Sequence, residues 1–320
     1  MGNYIIRRLL LLIPTLLIVT VIVFATVRLI PGDAVDVLMA QTGGGGGATE
    51  ESRARLQEML GLDVPVHVQY ARWLWDLARG DLGGSLFSGE PVWSAFIVPR
   101  IPVTLELSLM AMAVALLTSV PVGVYSAIRQ DTVGDYLGRG VSIVFISVPV
   151  FWTATMVMIY SQVLFRWTPR MEYIPIGEDL PQNLLMFGVP ALILGLLLSG
   201  TLMRLTRSMM LEVLRQDYVR TAWAKGLRER VVIIRHALKN ALIPVVTMIG
   251  LNVPYLIGGA VVVEQVFNLP GVGRLVVSSL LNRDYTIVSG VNLVVACTVL
   301  LVNLAVDLIY AYLDPRIRYE

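Results

Sequence analysis

The chain has 320 residues, of which 56% are hydrophobic and only 15% carry a formal charge. Soluble domains usually contain fewer apolar residues and about 25% charged residues. The mean hydropathy of +0.73 and net charge of +2 exclude a disordered chain, a disulfide-stapled secreted domain and a dedicated nucleic-acid binder, and they disfavour an ordinary soluble enzyme.

Long uncharged runs account for the excess of apolar residues. Each run has about 19–25 residues, and an α-helix of that length crosses roughly 30 Å of hydrocarbon. We therefore predict an all-α polytopic membrane protein with six transmembrane helices. The six runs are Leu9–Val27, Leu107–Ile128, Val141–Phe165, Leu180–Met203, Asn240–Val263 and Tyr285–Val306.

The first run follows Arg7 and Arg8, an arrangement that a cleaved signal peptide also shows. The run is longer than the apolar core of a signal peptide and no small-x-small cleavage site follows it, so we predict a retained anchor. We divide the chain into an N-terminal end with the first span (residues 1–30), a connecting segment with short helices (31–101) and a core of five spans (102–320).

Six spans place both termini on one side of the membrane. If that side is cytoplasmic, its segments hold 15 Lys and Arg residues against 8 Asp and Glu residues, whereas the other side holds 10 against 14. Because cytoplasmic loops are enriched in Lys and Arg, we predict that both termini are cytoplasmic.

The segment 31–101 is then external and acidic. Its five consecutive glycines, Gly43–Gly47, predict a flexible linker, because no Lys-Ser or Lys-Thr pair follows them as in a phosphate-binding loop. Helical spacing of charged and apolar residues predicts two short helices, Glu50–Leu60 and His67–Arg79, each followed by a glycine.

Another external segment, residues 264–284, lies between the fifth and sixth spans and contains a Pro-Gly turn. We predict a loop that dips back into the protein, since backbone at membrane depth must line a cavity or be buried.

The cytoplasmic segment 204–240 is amphipathic and carries nine Lys and Arg residues against three acidic residues. We predict that Asp217 caps a short helix, Tyr218–Lys225, and that Gly226 ends it. Such a loop can simply contact anionic lipid, or it can dock a soluble partner, and the residue pattern leaves both interpretations open.

Residues suited to catalysis or metal binding are scarce. The chain has one cysteine, Cys297, and two histidines, His67 and His236, on opposite sides of the predicted membrane. It lacks Walker A, His-Glu-x-x-His and Gly-x-Ser-x-Gly motifs. We therefore predict no catalytic residue, no metal site, and neither an ATPase nor an intramembrane protease.

Polar residues inside the predicted spans are few. Glu106 and Asp307 lie near helix ends, where an ionisable side chain is either functional or paired with interfacial water or a structural partner. Asn252 and Asn303 lie within helices, where amides often bond between helices. Glu106, Asn252 and Asn303 are therefore candidates for polar sites in a pore or in the helix packing.

Two neighbouring stretches, Tyr218–Leu227 and Arg235–Pro244, resemble the cytoplasmic coupling loop of ABC importer permeases. More narrowly, the chain is similar to the dipeptide, oligopeptide and nickel uptake family, on the permease subunit with a long first periplasmic loop. Further stretches agree with that family, so the resemblance extends along nearly the whole chain: Tyr4–Pro14, Gly61–Asp63 leading into His67–Tyr70, Val266–Leu275 and Leu313–Tyr319.

The resemblance implies a type I ABC importer permease fold and half of a translocation pore, embedded in the lipid of a bacterial inner membrane. The implied partners are a homologous second permease, cytoplasmic ATPase subunits and an extracytoplasmic substrate-binding protein, with no nucleic acid. The chain itself would bind no cofactor, because ATP and Mg²⁺ would be held by the ATPase subunits.

The resemblance also assigns residues to a coupling helix, which docks in a cleft of the ATPase, and to a gate or scoop at the pore entrance. The family's Glu-Ala-Ala positions hold Arg220, Thr221 and Ala222 here, with Gly226 in register, a difference typical of the peptide branch. The implied coupling residues are Asp217, Arg220, Thr221, Ala222, Ala224, Lys225, Gly226 and Leu227. The implied gate residues are Glu264, Phe267, Pro270, Gly271, Gly273 and Arg274.

Two alternatives come from other functional classes. An ion-coupled secondary transporter would need an ion-coupling site, which the sequence does not reveal, and a non-transporting assembly subunit would need neither a pore nor a docking helix. Within the importer interpretation the solute stays open among dipeptides, longer peptides, glutathione, nickel chelates and oligosaccharides.

Overall fold

The computed structural model describes residues 2–29, 35, 39, 50–59, 61–166, 168 and 173–313. These residues form helices, turns and an isolated β-bridge between Gly84 and Pro91, which confirms the all-α prediction. The predicted linker Gly43–Gly47 lies outside the described residues.

Twelve α-helices of eight or more residues are described. They are α1 (Gly2–Leu29), α2 (Glu50–Met59), α3 (Val66–Ala78), α4 (Ile101–Ile128), α5 (Val133–Ser147), α6 (Val150–Phe165), α7 (Leu180–Leu214), α8 (Asp217–Ala224), α9 (Lys239–Leu251), α10 (Val253–Val266), α11 (Val272–Leu281) and α12 (Tyr285–Leu313). A π-helical turn, Val92–Ile97, and a 3-10 turn, Val98–Arg100, lead into α4, and a second π-helical turn, Val232–Leu238, leads into α9.

Within the described residues, five helical stretches are long and apolar enough to cross a membrane. The pair α5 and α6, bent by 94°, adds a sixth if it counts as one span. With the bent pair counted as one span, the predicted number of six spans is confirmed. The five stretches are Arg8–Leu29, Val92–Ile128, Leu180–Leu214, Glu229–Leu251 and Tyr285–Val306.

Two predicted runs are broken helices rather than continuous ones. The run Val141–Phe165 bends after Ser147, because Pro149 has no N–H to donate and disfavours helical geometry at the residue before it. The run Asn240–Val263 breaks at Asn252, two residues before Pro254, and the apolar stretch of membrane length there is Glu229–Leu251. The predicted boundaries of the fifth span were therefore wrong.

By its internal contacts the chain divides into two compact units, Met1–Pro102 with Leu275–Leu300 and Val103–Arg274 with Leu301–Glu320. In the first unit, α3 packs against α1. The Tyr70 ring lies edge-on to Phe24 with the centroids 5.3 Å apart, and its hydroxyl lies 2.9 Å from that of Thr20. Trp73 lies 5.7 Å from the same Phe24 ring, so the aromatic side chains of α3 pack against α1.

In the second unit, α7 is the most buried of the long helices, and α4 packs against it along a stripe in which every fourth residue is buried. The contact depends on small residues. A Cβ at Gly195 of α7 would lie 2.7 Å from Cβ of Val114, and one at Gly123 of α4 would lie 2.7 Å from Cβ of Thr206. Helices in a membrane associate through close van der Waals packing rather than through the hydrophobic effect. Small residues allow this packing because they let the two backbones approach each other.

Candidate functional site

The helix predicted to couple to an ATPase is present as α8, Asp217–Ala224. It begins one residue earlier than predicted. Gln216 occupies the N-cap position, so the assignment of Asp217 as N-cap was wrong. Asp217 lies instead in the first turn, where its negative charge is favourable, and it accepts hydrogen bonds from Thr221 Oγ1 through its carbonyl (2.9 Å) and from Arg220 Nη1 through its carboxylate (3.4 Å).

An apolar inner face holds α8 against the rest of the second unit. Val219 and Ala222 are buried and pack with Val232 of the following π-helical turn, and Val213 and Leu214 of α7 complete the cluster. Ala222 therefore faces the interior of this chain.

The outer face of α8 combines apolar and cationic side chains. Tyr218 and Trp223 are 45% and 46% exposed, and the neighbouring Arg220 and Lys225 are also exposed. The Tyr218 hydroxyl accepts a hydrogen bond of 3.0 Å from Asn240 Nδ2. We call the exposed side chains of Tyr218, Arg220, Thr221, Trp223, Ala224, Lys225 and Leu227 the α8 surface.

Gly226 follows α8 with φ of +74°, in the left-handed region that favours glycine. Its N–H donates to the Trp223 carbonyl at 2.9 Å, and a Cβ placed on it would meet nothing within 4 Å. The predicted stop of the helix is thus confirmed, and the position is open to the surroundings.

The predicted external gate is built around a buried carboxylate. Glu264 is fully buried in the last turn of α10, not in a loop as predicted. Its Oε1 accepts a hydrogen bond from Thr104 Oγ1 at 2.6 Å and its Oε2 accepts one from the Arg274 N–H at 3.0 Å. Thr104 Oγ1 in turn accepts the Val272 N–H at 2.8 Å, so side chains satisfy two of the N–H groups in the first turn of α11.

The chain between α10 and α11 is a compact turn rather than an open loop. Phe267 and Leu269 are fully buried, and Arg274 Nη1 donates to the Asn268 carbonyl at 3.1 Å. A Cβ at Gly271, next to Pro270, would overlap the Glu264 carboxylate. At Gly273 it would lie 2.6 Å from Val261 Cα. The glycines of this motif therefore let the backbone close around Glu264.

A second acid, Glu106 of α4, has two polar neighbours. The Tyr173 hydroxyl donates to its Oε2 at 2.9 Å, and Asn183 Nδ2 donates to its Oε1. Asn183 is fully buried near the start of α7, and its Nδ2 also donates to the Ile174 carbonyl at 2.9 Å. Burial, reinforced by the hydrogen bond to Glu106, raises the pKa of the Tyr173 phenol to about 12. We call Glu106, Tyr173 and Asn183 the Glu106 cluster.

The other predicted polar candidates have more local surroundings. Asn252 is the C-cap residue of α9, and its Nδ2 donates to the Met248 carbonyl of that helix at 2.7 Å. Asn303 is half-buried in α12, and the side chain of Asp307 lies outside the described residues. In the part of the chain that the structure describes, no three His, Cys, Asp or Glu side chains are placed to hold a metal ion.

The sequence did not reveal a buried ion pair at the start of α5. Asp135 is fully buried and accepts two hydrogen bonds of 2.8 Å from Nε and Nη2 of Arg207 in α7. It also accepts one from Ser126 Oγ of α4 and one from the Asp131 N–H. The sequence shows that Asp135 and Arg207 are charged, but it does not show that the two side chains form an ion pair with each other.

Comparisons with known proteins agree with this architecture. The profile of the family described as "Binding-protein-dependent transport system inner membrane component" matches residues 119–319, and that of its N-terminal component matches residues 1–108. In the solved structure described as inward facing conformations of the MetNI methionine ABC transporter, a matching chain has a TM-score of 0.56 and 16% identity. The match covers 68% of this chain and 96% of that one, and it shows a shared fold.

Among curated proteins, the dipeptide transport system permease protein DppB of Escherichia coli K12 is 40% identical over 343 aligned positions. The DppB protein of Alkalihalophilus pseudofirmus is 41% identical over 345 positions, and a putative peptide transport system permease protein of Brucella abortus is 40% identical over 320. Each match covers 100% of both chains. The chain therefore belongs to the binding-protein-dependent transport permeases, as an ABC importer permease of the dipeptide and oligopeptide family.

Proposed function

We propose that this protein is one of two homologous permease subunits that together form the pore of an ATP-driven peptide importer in a bacterial inner membrane. The observation that carries the proposal is α8, a helix whose inner face is fixed by Val219 and Ala222 while its outer face stays exposed. The names of the curated relatives, which include dipeptide permeases, support peptides as the solute.

The α8 surface has the chemistry expected of a docking site for a soluble protein. Tyr218 and Trp223 are large and rigid, and burying such side chains in a partner's cleft gives much of the binding free energy of many interfaces. Arg220 and Lys225 would pair with acidic groups at the rim of that cleft, which favours a partner of opposite charge. We infer that the partner is the cytoplasmic ATPase, and that both termini of this chain are cytoplasmic.

Coupling then follows from the way α8 is attached. ATP and Mg²⁺ held by the two ATPases would bring them together, and a displacement of the docked α8 would be passed to Leu214 at the end of α7 and to the turn that carries Val232. The membrane helices would change between inward-open and outward-open states as alternating access requires. The substrate-binding protein would deliver the solute to the opposite side.

Gly226 offers a direct test, because substitutions there change the α8 surface without touching the core. Gly226→Glu adds bulk and a negative charge beside a surface expected to meet acidic groups, and we expect it to abolish peptide uptake by reconstituted transporter. Gly226→Ala is the matched control, because it carries the same left-handed strain, about 1–2 kcal/mol, without the charge. Uptake by Gly226→Glu at the wild-type rate, with the ATPases still bound, would refute the coupling role.

The same proposal separates this protein from the two alternatives. The purified chain alone should hydrolyse no ATP, and uptake by the complete complex should stop when ATP is withheld. A secondary transporter would accumulate solute without ATPase partners, and an assembly subunit would not transport at all. Clear ATP turnover by the isolated chain would reject the assignment.

A further inference from the structure

The membrane-length stretch Val92–Ile128 contains two charged residues, Arg100 before α4 and Glu106 within it. An ionisable side chain at such depth is costly when it faces lipid, so it normally faces protein or a water-filled cavity. Glu106 is partly exposed and adjoins Leu107 of the buried stripe of α4, whereas the exposed Leu105 and Leu109 point away from that stripe. The carboxylate is therefore expected to border an aqueous space inside the transporter.

Among the described residues, no Lys, Arg or His side chain forms an ion pair with this carboxylate. Within the described residues, the ion pairs of the second unit join Asp135 to Arg139 and Arg207, and Asp217 to Arg220, and none includes Glu106. Its two hydrogen-bond donors, from Tyr173 and Asn183, are both neutral. In the described part of the chain, the Glu106 carboxylate is thus bound by neutral donors alone.

The cluster is also rigid. The Asn183 amide is held between the Glu106 carboxylate and the Ile174 carbonyl, and the Tyr173 ring lies edge-on to the buried Phe187 at 6.1 Å between centroids. Fixing both donors keeps Glu106 in one orientation, so a ligand that binds it does not have to order it first.

One acceptor of the cluster lacks a donor. Asn183 Oδ1 is buried and has no hydrogen-bond partner. Exchanging the oxygen and nitrogen of the amide would not give the oxygen a donor, because Nδ2 binds two acceptors, the Glu106 carboxylate and the Ile174 carbonyl. A buried acceptor without a donor calls for an explanation, and a group that carries N–H donors and a positive charge would suit both this oxygen and the Glu106 carboxylate.

We propose that the Glu106 cluster binds the ammonium group of a solute during its passage through the permease. The inference rests on the proposed function, because the N-terminal amine of a peptide is largely an ammonium at neutral pH. An ammonium donates up to three hydrogen bonds and carries a positive charge, so it suits a carboxylate whose neighbouring amide oxygen lacks a donor.

The first experiment measures binding to the complete transporter, with both permeases and the ATPases, in detergent and without the substrate-binding protein. Equilibrium dialysis compares the dipeptide alanyl-alanine with N-acetyl-alanyl-alanine, which lacks the ammonium. The wild-type complex should bind the free dipeptide about tenfold more tightly, the size expected for losing one hydrogen bond to a charged group. Equal affinities for the two peptides in the wild-type complex would overturn the proposal.

Variants then locate the effect. Glu106→Gln should remove the preference, whereas Glu106→Asp and Tyr173→Phe, which keep the charge, should retain most of it. Glu178→Gln is the matched control, because it removes an exposed acid from the same segment as Tyr173 and should keep the full preference. Persistence of the preference in Glu106→Gln would overturn the proposal. Equal weakening for both peptides would indicate a structural role and would overturn it as well.

Uptake by proteoliposomes with the substrate-binding protein distinguishes this inference from the proposed function. If the wild-type complex imports alanyl-alanine and Glu106→Gln imports it at the same rate, the ammonium site is wrong and the importer stands. If the assembled wild-type complex imports no peptide with ATP present, the proposed solute class is wrong. At a subsaturating concentration of alanyl-alanine, we expect Glu106→Gln to lower the uptake rate about tenfold while Glu178→Gln leaves it unchanged, the ratio expected when one hydrogen bond to a charged group is lost.

Discussion

Replacing Asp135 by asparagine should destabilise the second unit by about 3 kcal/mol, since removing one partner of a buried ion pair usually costs about 3–5 kcal/mol. The carboxylate joins three helices. Arg207 of α7 binds both of its oxygens, Ser126 of α4 donates to one of them, and Asp135 itself lies in the first turn of α5. An asparagine keeps the shape but offers one acceptor oxygen instead of two.

The lower end of that range follows from the exposure of the two side chains. The Asp135 side chain is completely buried, but that of Arg207 is 18% exposed, so water partly compensates the guanidinium when the carboxylate is lost. Arg139 provides a matched comparison on the same carboxylate. Its Nε lies 3.6 Å away and its side chain is 38% exposed, so Arg139→Gln should cost less than about 1 kcal/mol.

Unfolding of the purified protein in detergent, followed by circular dichroism during titration with sodium dodecyl sulfate, measures these differences. The double variant Asp135→Asn with Arg207→Gln should recover more than half of the loss, because it removes the unpaired charge along with the pair. The reasoning is refuted if Asp135→Asn costs no more than Arg139→Gln, or if the double variant is less stable than the single one.

Two further pairs of substitutions use the same unfolding assay. Gly271→Ala should destabilise the protein, because the added Cβ would overlap the Glu264 carboxylate. Gly140→Ala is the control and should not destabilise it, because a Cβ there would have no atom within 4 Å. Equal losses of stability would contradict the packing of the turn around Glu264. In the first unit, Ser85→Ala removes the hydroxyl that donates to buried Asp284 at 2.6 Å and should cost about 1–3 kcal/mol. The exposed Ser94→Ala should cost much less, and a similar loss there would refute the role of that bond.

The sequence predicted the helices of this protein well because membrane spans are encoded locally. A run of about 20 uncharged residues can satisfy its backbone in lipid only as a helix, so the runs identified the spans without any tertiary information. The end of α8 could also be predicted from local sequence, because Gly226, which follows the helix, has the positive φ that favours glycine. The prediction failed where a helix breaks within an apolar run, at Asn252 and before Pro149, because hydropathy does not register a break between two apolar segments.

Contacts between helices could not be predicted in the same way. Asp135 and Arg207 are 72 residues apart in sequence, and whether they meet depends on the rotation and axial position of α5 and α7. Glu264 was predicted in a loop because Pro270 and Gly271 signal a turn, and the sequence does not show that α10 extends to Val266 before the turn begins. The polar side chains of the candidate sites were found, but their partners required the packed structure.

The position of α7 connects the two proposed sites. This single helix carries Asn183 of the Glu106 cluster near one end and Arg207 near the other, and Leu214 at its last turn packs with the buried face of α8. At 1.5 Å per residue, Asn183 and Arg207 are about 36 Å apart along the axis, which is more than the thickness of the hydrocarbon core. A displacement of α8 can therefore reach the Glu106 cluster through one continuous element, and Pro190 within that helix gives it a place to bend. If the docked ATPases move α8, the geometry around Glu106 should change in the same step, so an ammonium held there in one state would be released in the other.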